Sequence, residues 1–175
     1  MRNLAEKWTV VPDWAEATIE APGLKARAVI GLNQYLVSGN LDAWSAVSGL
    51  PAKGIGALGE ARGDAYAVQV ARDRLLVVSA TASGIEAGWH ADGFAVTPVN
   101  AGHHLFEVEG PAQMELVARA TTLDPAAPSA SAALSFAGAN AVVYRHGGKL
   151  RIHVDRALAT YLWTWMQTAA ANIAA

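Results

Sequence analysis

Cysteine is missing from all 175 residues. Disulfides, thiolate metal sites and a thiol nucleophile are thereby excluded. Charge is sparse as well: 13 Lys and Arg stand against 15 Asp and Glu, for a formal net charge of −2. No basic stripe exists to neutralise phosphates, so a nucleic-acid surface is not expected. No apolar run approaches the roughly 18 residues of a membrane span. Met1 to Val11 carries Glu6 and Lys7 and has no apolar signal core, so the expected location is the cytoplasm.

Catalytic signatures are equally scarce. No serine sits in G-x-S-x-G, and neither H-x-x-x-H nor H-x-x-E-H occurs, which leaves hydrolase and zinc chemistry without a motif. His103 and His104 are adjacent, so on a strand they face opposite sides. His90, His146 and His153 lie far apart in sequence. No catalytic residue and no metal site is assigned. Glu107 and Glu109 share one strand face and are read as a solvated outer face rather than a carboxylate pair. Asp73 is read as a turn residue.

What the chain does have is apolar bulk, 53% of its residues, and six tryptophans. That many tryptophans implies an aromatic core or an interface. The length suits a single domain. Residues 1–24 read as an irregular lead-in, with room for one strand, that must dock to bury Trp8 and Trp14. Residues 25–175 read as one α+β domain.

Strands are expected over 24–32 and 33–39. Asn40 or Asp42 then caps a helix that Gly49-Leu50-Pro51 stops. The spacing G-x-G-x-x-G appears at Gly54, Gly56 and Gly59, but it follows a helix stop and precedes a strand. That is the wrong context for a dinucleotide fingerprint, and the segment reads as a turn. A hairpin follows over 64–71 and 73–80, then a short or broken helix over 81–92 and a strand over 93–97.

A strand over 104–109 leads through Gly110-Pro111 into a helix over 112–121 that buries Met114, Leu116 and Val117. Strands over 130–136, 141–145 and 149–154 precede the terminal helix. Order and spacing repeat between about 25–97 and 98–175, which reads as a pseudo-repeat. Hairpins alternating with helices indicate largely antiparallel sheets with packed helices.

Gly147-Gly148 reads as a two-residue turn. It pairs Arg145 with Leu150, Tyr144 with Arg151 and Val142 with His153. Val143, Leu150, Ile152 and Val154 form the core face. The other face carries Tyr144, Lys149, Arg151 and His153, with Arg151 able to lie on the Tyr144 ring for about 0.5–1 kcal/mol. Asp155 is placed to cap the helix. Leu158, Leu162, Trp165 and Ala169 form its expected buried stripe, bordered by Tyr161 and Met166. Trp163 points away, either under the lead-in or toward another chain. Tyr144, Arg151, His153 and Trp163 are the candidate contact patch for a protein partner.

Two passages resemble the gamma subunit of heterotetrameric sarcosine oxidases. One is Leu105-Phe-Glu-Val-Glu-Gly-Pro-Ala112 through Leu123-Asp124. The other runs from Ala139 through Val143-Tyr-Arg145 to Tyr161-Leu-Trp163. The chain departs from the family at Thr121-Thr122, where members often have Cys-Pro, and at Arg72-Asp73-Arg74-Leu75.

The resemblance implies a fold like the folate-binding domains of the glycine-cleavage T-protein group. It further implies a non-catalytic subunit of a complex that oxidatively demethylates sarcosine or a related N-methyl amine. The implied partners are flavin-dependent oxidase subunits in a hetero-oligomer. FAD, FMN, NAD and folate then belong to those partners, and this chain binds none. Two alternatives remain. One is a free-standing folate-binding, aminomethyltransferase-like protein; the other is a homo-oligomeric α+β domain without a small ligand.

Overall fold

Gly147 and Gly148 both adopt positive φ, 60° and 76°, as the tight turn that matches strand twist requires. The turn joins β11 (Ala139–His146) to β12 (Lys149–Asp155) in the expected register. The fold, a computed structural model, describes residues 10–82 and 84–173. Trp8 lies outside them. Before this hairpin come β1 (Thr18–Ala21), β2 (Leu24–Val29), β3 (Asn33–Gly39), α1 (Leu41–Ser48) and β4 (Glu60–Ala61). They are followed by β5 (Ala65–Ala71), β6 (Arg74–Ser79), β7 (Gly88–His90), β8 (Phe94–Pro98) and β9 (His103–Glu109). Helix α2 (Gln113–Ala120) and β10 (Ala133–Phe136) precede β11, and a 3-10 turn (Arg156–Leu158) leads from β12 into α3 (Ala159–Ile173).

Two sheets result. One has the order β1-β2-β9-β12-β11-β10, with β4 parallel to β11; the other, taken from its β7 edge, has the order β7-β8-β3-β6-β5. Every other pairing between these strands is antiparallel. The chain is therefore α+β, as expected.

Aligned from β1 and β7, the two orders coincide over five strands. Each unit is a hairpin, a strand, a helix and a second hairpin, and the units exchange their first hairpins. Hairpin β1-β2 pairs with β9 of the second unit, while β7-β8 pairs with β3 of the first. The second unit thus begins at β7, not at residue 98, and the lead-in contributes β1 to the first. Strands of three and four residues are too short to announce themselves by alternation.

Equivalent glycines lock the exchange. Gly39 (φ 102°) ends β3 and Gly110 (φ 114°) follows β9. A Cβ on Gly39 would collide with the carbonyl oxygen of Gly93 in the β7-β8 turn; one on Gly110 would collide with that of Gly23 in the β1-β2 turn. Both carbonyls accept backbone hydrogen bonds at the adjoining helix entry, from Asn40 N at 2.9 Å and Ala112 N at 3.0 Å.

The layers run helix, sheet, sheet, helix. Helices α2 and α3 cover the outer face of the larger sheet, and α1 covers that of the smaller. Asn40 caps α1 through Oδ1 to Ala43 N, and Gly49 ends it in the left-handed conformation. Asp155 caps the 3-10 turn by accepting from Ala157 N.

Two expectations need correction. Residues 81–92 contain no helix among those described; bends lead into β7. Gly84 and Gly88 weaken any helix there. On α3 the buried stripe is Ala159, Leu162, Trp163, Met166, Ala169 and Ala170, whereas Leu158 and Tyr161 are exposed. The 3-10 turn, at three residues per turn rather than 3.6, takes Leu158 off the helical count, and within α3 it is Trp163 rather than Trp165 that is fully buried, against Phe106 and Trp14. Fully burying a side chain of the Leu162 or Met166 type contributes about 1.5–3 kcal/mol.

Gly39→Ala and Gly110→Ala should each cost more than about 2 kcal/mol, through positive φ and the backbone collision together. Urea unfolding of each variant measures it; a loss below about 0.5 kcal/mol for both is inconsistent with the glycine lock.

Candidate functional site

Between the two sheets lies a chain of polar side chains. Arg151 donates through Nη1 to the Tyr66 hydroxyl. Tyr66 and Tyr144 are joined hydroxyl to hydroxyl at 2.9 Å. Tyr144 OH meets His153 Nε2 at 2.8 Å, and His153 Nδ1 meets Gln34 Oε1 at 2.8 Å. With His153 neutral, one set of proton positions satisfies all four contacts. Gln34 Oε1 can only accept, so His153 carries its proton on Nδ1 and accepts at Nε2 from Tyr144. Tyr144 accordingly accepts from Tyr66, and Tyr66 from Arg151.

At the other end Arg151 donates to Glu107 Oε2 through Nε at 3.3 Å and Nη2 at 3.2 Å. Arg27 Nη2 and Lys149 Nζ reach Glu107 Oε1 at 3.0 and 3.3 Å. Lys149 also bridges to Glu109 at 2.7 Å. Burial pushes the Glu107 carboxyl up, but hydrogen bonds from Arg27 and Lys149 and the charges of Lys149 and Arg151 outweigh it, so the group titrates below its ordinary value. Burial raises Tyr66 and, much further, Tyr144. Burial, with His103 and Arg151 nearby, lowers His153 to about 3. These four groups therefore hold one protonation state around neutral pH.

The candidate contact patch is corrected by this geometry. Tyr144 is 0% exposed, His153 1%, Trp163 3% and Arg151 9%. Tyr144, Arg151 and His153 are brought together, but beneath the second sheet. Trp163 sits apart from them on the helix side, stacked on Phe106 at 5.4 Å and edge-on to Trp14 at 5.7 Å. It lies under the lead-in, the first of its two expected placements. Glu107, expected on a solvated outer face, is buried among three cations.

Sequence reasoning missed Tyr66, Gln34, Arg27 and the partnered role of Glu107. The available signal was the strict alternation of Tyr66, Val68 and Val70, which marks one face of β5 without saying what faces it.

Gly54, Gly56 and Gly59 form no phosphate cradle. A Cβ on them would strike the Gln69 backbone, the Ser129 carbonyl and the Ile55 side chain respectively. The segment is a close-packed strap rather than a loose turn: Ile55 bridges Val68 in parallel, and Gly54 N donates to Gln69 Oε1 at 2.8 Å. His103 and His104 border a cavity of about 280 Å³ with Trp14, Gln34, Asn100 and Arg156. Burial lowers both histidines, opposed at His103 by Asp155 and reinforced at His104 by Arg156. His104 packs on the Trp14 ring at 4.5 Å and His103 lies 6.4 Å from the His153 ring. Among the described residues no three His, Cys, Asp or Glu side chains are grouped to hold a metal ion.

The family model for the sarcosine oxidase gamma subunit matches residues 59–172. The chain belongs to this family. The matched segment runs from the strap through α3 and includes the network's Tyr66, Glu107, Tyr144, Arg151 and His153. Gln34 and Arg27 lie outside it. In solved structures, the gamma-family chain is similar to a chain of the heterotetrameric sarcosine oxidase from Corynebacterium sp. U-96 in complex with pyrrole 2-carboxylate. The TM-score is 0.70 at 17% identity, covering 93% of this chain and 91% of that one. At that identity the likeness is one of fold. No curated protein matches in sequence. No helix among the described residues is long and apolar enough to cross a membrane.

Tyr144→Phe keeps the ring but strands His153 Nε2 and the Tyr66 hydroxyl, and should cost about 1–3 kcal/mol in chemical denaturation. A neutral outcome would mean that the hydroxyl chain contributes nothing.

Acid sensitivity follows from His153. Below the ordinary histidine pKa of about 6.5 the unfolded chain takes up a proton that the folded chain refuses down to about 3. Stability is thus complete above pH ~6.5 and falls by about 1.4 kcal/mol per pH unit below it. His103 and His104 act in the same direction, and Glu107 adds a loss below the carboxylate range. Urea midpoints between about pH 7.5 and about pH 5 read this slope, and His153→Gln should reduce it, leaving the part due to His103 and His104.

Proposed function

We propose that this chain is the non-catalytic small subunit of a cytoplasmic, heterotetrameric complex of the sarcosine oxidase type. The complex oxidatively demethylates sarcosine or a related N-methyl amine. Its chemistry resides on flavin-dependent partner subunits, which hold FAD, FMN, NAD and folate, while this chain supplies structure. The gamma-subunit match over residues 59–172 carries the reading. The polar chain between the sheets supports it: these are the most chemically rich side chains of the fold, and they are consumed in joining one sheet to the other.

Affinity purification of a tagged chain from its own cells tests the proposal. The expected eluate contains larger subunits with flavin absorption. Recovery of the chain alone, with tryptophan quenching on addition of tetrahydrofolate, would favour a free-standing folate-binding protein and end the subunit reading.

A further inference from the structure

The internal duplication gives each sheet an outer face, and the two faces are unequally covered. On the larger sheet α2 and α3 lie side by side, and α3 follows directly from β12. On the smaller sheet α1 stands where α2 does, but the described residues between β6, the equivalent of β12, and β7 make only bends. Among the described residues no counterpart of α3 follows. A groove of about 460 Å³ lies there, with Val37, Trp44, Val77 and Val96 already buried in its floor, Val47 and Leu50 on its rim and serine and threonine side chains among the rest of its lining; no charged residue among those described borders it.

The rim matches the docking geometry of the other unit. Helices α1 and α2 each have eight residues. At the seventh position of α2, Arg119 reaches the Asn172 carbonyl of α3 at 3.4 Å. At the seventh position of α1 stands Val47, apolar and 57% exposed. A valine facing solvent at the point where the sister helix meets α3 is suited to an apolar neighbour.

We propose that this groove is a docking site for an amphipathic helix of another subunit, lying on the smaller sheet as α3 lies on the larger. The helix presents aliphatic or aromatic side chains to the groove and no charge, since the described lining has none to pair. The occupant rests on the complex proposed above. A second copy of this chain is the competing occupant.

The absence of cysteine makes the test direct, because Val47→Cys introduces the chain's single thiol. Its alkylation rate is read by mass spectrometry in the isolated chain and in the complex co-expressed with the large subunits. Assembly should slow the reaction by about tenfold or more, as water-excluding contacts do. Val47→Glu, at an exposed site where folding persists by circular dichroism, should fail to retain the large subunits. Equal alkylation rates in an intact complex would overturn the groove proposal and leave the subunit assignment standing. Protection of the introduced thiol that rises with the concentration of the isolated chain would overturn it in favour of a second copy. Failure of the wild-type chain to assemble at all would overturn both.

Discussion

One buried ion pair sets the relation between the two sheets. Arg151, on the inner face of β12, is held by Glu107 and in turn holds Tyr66 from the opposite sheet. From Tyr66 the hydroxyl chain returns through Tyr144 to His153 and crosses again to Gln34. Apolar contacts between sheets are tolerant of sliding, but this chain is not. The tyrosine hydroxyls and both His153 ring nitrogens are matched donor to acceptor, so a shift of the sheets would strand several at once in a dry layer. Such an arrangement contributes little net stability compared with apolar packing, while breaking any link is costly. Its effect is to select one packing of the sheets over its neighbours.

That selection explains the division between what was legible in the sequence and what was not. The register of β11 and β12 was readable, because a Gly-Gly turn fixes pairing locally. The fate of the face carrying Tyr144, Arg151 and His153 was not. A strand face with an arginine, a tyrosine and a histidine looks alike under water and under a second sheet. The deciding partners, Tyr66 and Gln34, lie 78 and 119 residues away from theirs. Glu107 was misread for the same reason, since alternation identifies faces but not what covers them. The α3 stripe failed differently. Asp155 caps as its position indicates and Leu162 and Ala169 lie on the stripe, but Leu158 falls in the 3-10 segment, off the helical count, and Trp163 is buried in place of Trp165.

The exchange of first hairpins has a comparable consequence. Each sheet contains two strands of the other unit, fastened at Gly39 and Gly110 by contacts that admit no side chain. Neither unit can then complete its sheet alone. The duplication was visible in element order, but its boundary was not, because β1 and β7 are too brief to show a period.

The same duplication shows where the molecule has finished itself and where it has not. Among the described residues the cluster on the larger sheet has 22 buried apolar members, and its counterpart on the smaller sheet has 7. A large share of the difference comes from α3, whose Leu162, Trp163 and Met166 close the first face against Trp14, Phe106 and the core strands. The terminal hairpin and helix thus turn most of their aromatic and charged residues inward. A chain that spends this helix on one of two equivalent faces leaves the other to α1 and the bends before β7, which bury Trp44, Val37 and Val96 but leave Val47 exposed. Because burial of apolar area is the main favourable term in association as in folding, what a neighbour on that face would gain lies at Val47, an exposed apolar residue on its rim.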